Sequence, residues 1–407
     1  MTVEKDISVE RALELLRETR PIGTERISAA AARGRVLAED VKAAIDQPPW
    51  PRSPLDGYAL RDEDSAGATR ATPVMLRVVD TVYAGGWSQV TVGPGEAVRI
   101  MTGAPIPDGC NCVLRQEDTD CGGDTVAIYA SVAPWANYCR AGEDFCRGDT
   151  ILRAGTRITG NAAGVLASSG LERDDIMLTI YRRVRAAVLC TGDELVPASQ
   201  APLPPGKIYS SNEAVLATRL EALGAEVTLL RAQFGDDAAA LADALREAAG
   251  RVDVIFTTGG VSEGARDILH DALELAGAER VFWRVRLKPG SPLIFSRLRE
   301  TPVLSLSGNP FAASATFELF ARPLLQRLAG AEDLEMMTFP AVLDAGFKKR
   351  GPAPRYLRGV VKNGHVTLPE GHSSGQLASA AAANCLVEIP PSLEPLPPGG
   401  TVTVHLI

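Results

Sequence analysis

Five short stretches of the 407-residue chain carry residue types suited to a phosphorylated ligand. They are Thr191-Gly192-Asp193-Glu194, Gly235-Asp236-Asp237, Gly259-Gly260-Val261-Ser262 with Asp267 beyond it, Lys288-Pro289-Gly290-Ser291, and Gly308-Asn309-Pro310. Glycines let a ligand approach the backbone, and backbone N–H groups at turns and helix starts hold phosphate. Lys288 adds a cation. Glu194, Asp236 and Asp267 supply carboxylates, which beside a phosphate commonly bind Mg2+. Taken singly each piece is weak. A Gly-Gly pair after a strand is often only a tight turn, and Asp236 can equally serve as a helix N-cap. Neither a Walker-type lysine loop nor G-x-G-x-x-G is present, which argues against an ordinary ATPase or dinucleotide enzyme.

The five stretches share a local context. Each follows a short apolar run: "RAAVLC", "EVTLLRAQF", "VDVIFTT", "RVFWRVRL" and "PVLSLS". Between them lie amphipathic stretches of helical period, "SNEAVLATRLEALG", "DDAAALADALREAAG" and "ARDILHDALELAG", and "PFAASATFELFARPLLQRL" follows the last. Strands alternating with helices at this spacing predict a doubly wound, mainly parallel sheet over residues 181–330. In such a sheet ligands bind beyond the carboxyl ends of the strands. All five stretches then converge on one edge, which a set of unrelated turns does not explain.

The rest of the chain divides by composition. Ser8 caps a helix carrying Val9, Ala12, Leu13 and Leu16, a second helical stretch is expected near Ala29–Leu37, and "DQPPWPRSP" cannot be regular structure. Residues 48–147 read as short strands punctuated by Gly-Gly pairs. Residues 1–47 together with 148–180 are expected to form a helical linker domain. Residues 335–407 are expected to form a small β domain. In the β-rich part, Asp56, Thr102 and Asp144 sit in polar turns. The net charge of −8 is ill suited to bulk phosphate attraction and so to nucleic acid. No stretch approaches the roughly 20 apolar residues of a membrane span, and the charged N-terminus lacks a signal core, so a cytoplasmic protein is expected. Seven irregularly spaced cysteines and four histidines favour reduced thiols over a zinc site at Cys110, Cys112 and Cys121.

Read in order, "LDGYA", "RIMTGAPIPDG", "AGEDF", "CTGDEL", "TTGGVSEGARD", "LKPGSP", "SGNPFAA" and "AAANCLVEIP" resemble the MoeA family. These are the molybdopterin molybdenumtransferases related to the C-terminal part of gephyrin. The resemblance covers nearly the whole chain. It implies a multidomain α/β protein of four domains, an elongated homodimer, and a sheet domain like the molybdopterin adenylyltransferases. The implied reaction inserts molybdenum from molybdate into adenylylated molybdopterin, releasing AMP with Mg2+ assisting. Implied partners are these small-molecule substrates, with transient contact to the adenylyltransferase and to molybdoenzymes, and neither nucleic acid nor membrane.

The resemblance also implies roles. Asp56 and Thr102 would reach the active site from the β-rich domain, from the partner subunit. Thr191, Gly192, Asp193 and Glu194 would line the pterin phosphate and metal region. Asp236 and Asp267 match acids important for activity and, with Glu194, would hold the metal. Gly259, Gly260 and Ser262 match the phosphate loop, and Gly308, Asn309 and Pro310 would also bind the cofactor. Lys288 matches a lysine of the anion pocket, to which Ser291, Arg358 and Ser374 would add. Four departures stand out: Ser291 replaces a second lysine, Ser307 replaces a proline, Pro54-Leu55 precedes Asp56, and Ile268-Leu269 follows Asp267. They leave open a second reading, a molybdopterin-binding paralogue, non-catalytic or of altered specificity, that scaffolds or delivers the cofactor.

Overall fold

The computed structural model describes residues 3–231, 234, 235, 237–261, 268–331, 336–348, 351–370, 373, 375–392 and 394–407. At its centre is a seven-stranded sheet. From one edge its strands run Glu4–Ile7, Glu279–Val285, Ile294–Leu298, Thr301–Leu306, Val254–Thr258, Arg185–Cys190 and Glu226–Leu229. Neighbours pair in parallel, except that Ile294–Leu298 is antiparallel to both of its partners. The alternation of side chains along each strand feeds two cores. Ala186, Val188, Val254 and Phe256 face one, with Leu216 and Leu220 of helix Ser211–Ala222 and Leu324 of helix Arg322–Leu328. Ala187, Leu189 and Ile255 face the other, with helices Ala238–Ala249 and Leu269–Ala276. Helices on both faces of a mainly parallel sheet are the doubly wound arrangement expected from the sequence.

Two strands of this sheet were not expected. Ile294–Leu298 is a reversed strand joined to Thr301–Leu306 by a two-residue turn, where Arg299 takes positive φ. Glu4–Ile7 is polar but pairs in parallel with Glu279–Val285. The helix that follows, Val9–Arg17, is capped by Ser8 as expected and buries Val9, Ala12, Leu15 and Leu16 in the sheet's core. This segment therefore packs with the sheet, although the sequence reading grouped it with the linker domain. Near Ala29–Leu37 there is only one 3-10 turn, Ala29–Ala31. Gly34 breaks the run with φ +78°, and Val36 and Leu37 form bridges to Arg157 and Ile180 instead.

Three smaller units surround the sheet. Ala29, Leu37 and Val41 share a core with Ile158, Leu166 and Ile180, joining chain segments on either side of the β-rich insertion. The insertion is a five-stranded sheet in the order Cys112–Arg115, Gly57–Leu60, Glu96–Ile100, Thr69–Val82, Thr125–Ala130. The C-terminal segment closes into a barrel of Thr338–Leu343, His365–Thr367, Arg355–Lys362, Cys385–Ile389 and Thr401–Leu406. That barrel is fastened to the central sheet. Tyr356 and Leu386 lie in the sheet's core, Lys288 N–H donates to Pro354 O (2.9 Å), and Tyr356 N–H donates to Lys288 O (2.8 Å).

Candidate active site

Strand order reverses at Arg185–Cys190, with Glu226–Leu229 on one side and Val254–Thr258 on the other. The carboxyl ends at such a reversal leave a crevice. Here it is a cavity of about 650 Å³, within the range of small-molecule sites. Its wall brings together Thr191, Gly192, Asp193, Glu194, Gly259, Gly260, Gly308, Asn309 and Pro310, all expected from the sequence.

The backbone is tightly drawn there. Thr191 N–H donates to Thr258 O (2.9 Å), and Thr191 Oγ1 donates to the same oxygen (3.2 Å). Gly259 N–H donates to Leu306 O at 3.3 Å. Gly259 has φ +90°, and a Cβ there would stand 2.4 Å from Thr191 O. Only glycine suits that position. A Cβ on Gly308 would lie 3.4 Å from Gly259 Cα, so the two glycine turns lie side by side at the ends of adjacent strands. Their bare backbone lets an anionic group come close to peptide dipoles. Glu194 is exposed, and its carboxylate folds back toward Gly192, where a Cβ would meet Oε2 at 2.7 Å. Lys207 Nζ donates to Asp193 O (2.6 Å) and Ile208 N–H to Glu194 O (2.7 Å), fixing this loop.

Several residues at the cavity were missed by the sequence reading. Asn212, only 8% exposed, donates from Nδ2 to Gly308 O at 2.8 Å and ties a helix start to the opposite loop. Tyr209, Ser210, Ser211 and Phe234 also line the wall. The signal was present in "IYSSN", but a polar run before a helix reads first as capping.

Other expected residues lie elsewhere. Lys288 is exposed and Ser291 half-buried. The lining near them comes from Pro289, Gly290 and Pro292, because the Lys288 backbone is engaged by the barrel. Arg358 is 1% exposed, its guanidinium 4.5 Å over the Phe311 ring, with Nη2 donating to Ser373 O (3.2 Å). Burial lowers its pKa. It thus sits behind the helix that starts at Pro310, not in the wall. Asp56 and Thr102 belong to the β-rich unit, where Asp56 Oδ1 accepts from Thr102 N–H and Oγ1, both at 2.7 Å. Those two hydrogen bonds, the backbone one foremost, hold the Asp56 carboxyl below its usual pKa. Asp144 is held in a turn by its N–H to Gln47 O (2.9 Å). Asp236, Ser262, Asp267 and Ser374 lie outside the described residues. The cap of helix Ala238–Ala249 is Asp237, which accepts from Ala240 N–H. Of the departing pair, Ile268 lines the cavity, whereas Leu269 is wholly buried.

Among the described residues no group of three or more His, Cys, Asp or Glu could hold a metal by itself. Two adjacent exposed carboxylates, Asp193 and Glu194, do suit Mg2+, which takes one or two carboxylates and completes its shell with water and substrate phosphate.

Comparison with known proteins accounts for almost the whole chain. Residues 7–170 match the MoeA N-terminal region (domains I and II), 187–327 a probable molybdopterin binding domain, and 340–407 the MoeA C-terminal region (domain IV). A molybdopterin molybdenumtransferase 2 of Mycobacterium tuberculosis (strain H37Rv) is 37% identical over 386 residues, 93% of each chain. A molybdopterin molybdenumtransferase of Staphylococcus aureus (strain MSSA476) is 33% identical over 413 residues, covering 100% of this chain and 97% of its own. The crystal structure of a molybdopterin biosynthesis moeA protein from Pyrococcus horikoshii superimposes with TM-score 0.84 at 29% identity, covering 98% of this chain and 100% of that one.

Proposed function

The chain belongs to the MoeA family of molybdopterin molybdenumtransferases, a transferase of molybdenum cofactor biosynthesis, and from that membership we propose its reaction and the parts that carry it. It takes adenylylated molybdopterin and molybdate, places molybdenum on the dithiolene, and releases AMP. The observation that carries this reading is the cavity at the strand-order reversal, where two bare glycine turns lie side by side at the ends of adjacent strands.

Gly259, Gly260 and Gly308, with Ser262 and Asn309, cradle the phosphate through the backbone. Thr191 and Gly192 form the floor. Asn212 keeps the Gly308 loop at a fixed distance, so the cradle is formed before ligand arrives. Glu194, with Asp193, Asp236 and Asp267, would hold Mg2+, which when bound neutralises charge on the phosphoanhydride oxygens. Lys288, Ser291 and Ser374 supply the anion side in this reading, and Arg358, buried behind the helix that starts at Pro310, backs it without touching the ligand. Asp56, kept ionised by Thr102, enters from the partner subunit of a homodimer. The same reading takes the enzyme as cytoplasmic, supplied by a molybdopterin adenylyltransferase and serving molybdoenzymes.

The experiment is AMP release from adenylylated molybdopterin with Mg2+ and molybdate, a related active enzyme serving as control. One AMP per substrate is expected, and no release refutes the reading. Mixing Asp56→Ala with Glu194→Ala subunits tests the shared site. About a quarter of wild-type activity returns if two subunits build each site, since half the mixed dimers are hybrid and each hybrid has one intact site. No recovery refutes the shared arrangement.

A further inference from the structure

A second cavity, of about 490 Å³, lies where the linker unit meets the amino-terminal side of the central sheet. Five arginines line it: Arg33, Arg35, Arg157, Arg182 and Arg183. In a chain of net charge −8 such a concentration needs an explanation. Three are balanced by carboxylates. Arg33 pairs with Glu172 (2.6 Å), Arg35 with Glu25 (2.5 Å), and Arg182 with Asp253 (2.5 Å). Asp253 also takes Arg185, and Glu226, close to Arg182, offsets that extra charge.

Arg157 and Arg183 have no carboxylate partner among the described residues. Among the described residues Arg157 donates only to a neutral acceptor, Gly34 O, at 2.9 Å. It is half-buried, and burial lowers its pKa. A desolvated guanidinium without a counter-charge is costly to hold. Two helices, Ser211–Ala222 and Arg322–Leu328, also end beside the cavity, and each end contributes about half a negative charge. Together these cancel about one of the two surplus cations, leaving the cavity positive.

Two of the arginines are held by neighbouring backbone. Val36 bridges Arg157 across paired backbone, and Arg35 Nη2 donates to Tyr181 O (3.1 Å). Leu223, Leu325 and Ala329 provide an apolar floor. Guanidinium donors around an apolar floor suit a phosphate group attached to a larger body.

We propose that this arginine-lined cavity is a second ligand site, separate from the strand-end cavity, that binds a phosphorylated small molecule of about nucleotide size through Arg157 and Arg183. Two sources share this chemistry, an inorganic polyphosphate and a nucleotide, and the probes are chosen to separate them.

The experiment titrates the full-length protein with inorganic pyrophosphate and, separately, with AMP, by calorimetry. Hydrogen exchange locates each site. Binding is expected to protect residues 33–36 and 181–184, apart from any protection at 190–196 and 257–261. Protection by both probes assigns recognition to the phosphate alone, and protection by AMP only assigns it to the nucleotide. Arg183→Glu, at an exposed position, should weaken this binding at least tenfold while leaving the melting temperature and AMP-releasing activity unchanged. Arg157→Gln should act in the same direction. The proposal is overturned if neither probe protects 33–36 and 181–184, or if binding there survives both substitutions. Because the exchange readout needs no turnover, it stands or falls independently of the reaction proposed above.

Discussion

Substituting alanine at the two neighbouring glycines should separate folding from binding. At Gly259 an alanine would have to adopt φ +90°, beyond the left-handed well near +57°, at about 1–3 kcal/mol. Its Cβ would also stand 2.4 Å from the Thr191 carbonyl oxygen and 2.8 Å from the Thr191 hydroxyl. Relief requires Thr191 to retreat and to lose its bond to Thr258 O, worth about 1 kcal/mol. Gly259→Ala should therefore lose about 2–4 kcal/mol and melt roughly 5–15 °C lower. Gly308 has no positive φ, and its nearest contact for a Cβ is 3.4 Å. Gly308→Ala should alter stability by under about 0.5 kcal/mol. Its methyl stands between the two turns, however, and should weaken substrate binding at least tenfold, about 1.4 kcal/mol. Calorimetric melting and equilibrium binding of adenylylated molybdopterin measure both effects. A Gly259→Ala protein melting within 2 °C of wild type, or a Gly308→Ala protein with unchanged affinity, refutes the reasoning.

Two further outcomes follow from ionisable groups away from the cavity. Burial would raise the Asp253 carboxyl, but hydrogen bonds from Arg182 and Arg185 outweigh it and lower the pKa to about 2. A depressed carboxyl stabilises the fold above its ordinary pKa near 4 and loses that contribution as pH falls through about 2. Asp253→Asn should thus cost about 2–3 kcal/mol at neutral pH, and denaturant titrations should show the gap closing between pH 4 and 2. Burial pushes the Cys110 and Cys112 thiols up to about 12, while Cys121 and Cys146 are exposed. Iodoacetamide at pH 8 should label Cys121 and Cys146 in the native protein and reach Cys110 and Cys112 only on unfolding, as mass spectrometry will read.

The strand ends were legible because each apolar run stops abruptly at glycine or a small polar residue, a local pattern. Glu4–Ile7 was not, since "EKDI" has no apolar alternation and forms a strand only by pairing with Glu279–Val285. Ile294–Leu298 was hidden by the prolines and serines around it. Asn212 sits in a polar helix start whose local sequence points to capping, whereas its partner, Gly308, lies 96 residues away. Arg358 was placed at the anion pocket by resemblance alone, and nothing in its local sequence marks Phe311 as the ring beneath it. Periodicity reports which face a residue takes. It does not report which distant loop that face meets.

The seam between barrel and sheet bears on how the molecule comes apart. Tyr356 and Leu386 complete a core that otherwise belongs to the sheet, and Lys288 has both its backbone groups engaged by the barrel. Parting the two would open that core and strand those groups at once, so neither piece has a low-energy way to loosen alone. Though separate in sequence, they form one cooperative unit, and the loop after Lys288 inherits its rigidity from strand Arg355–Lys362, some 70 residues later.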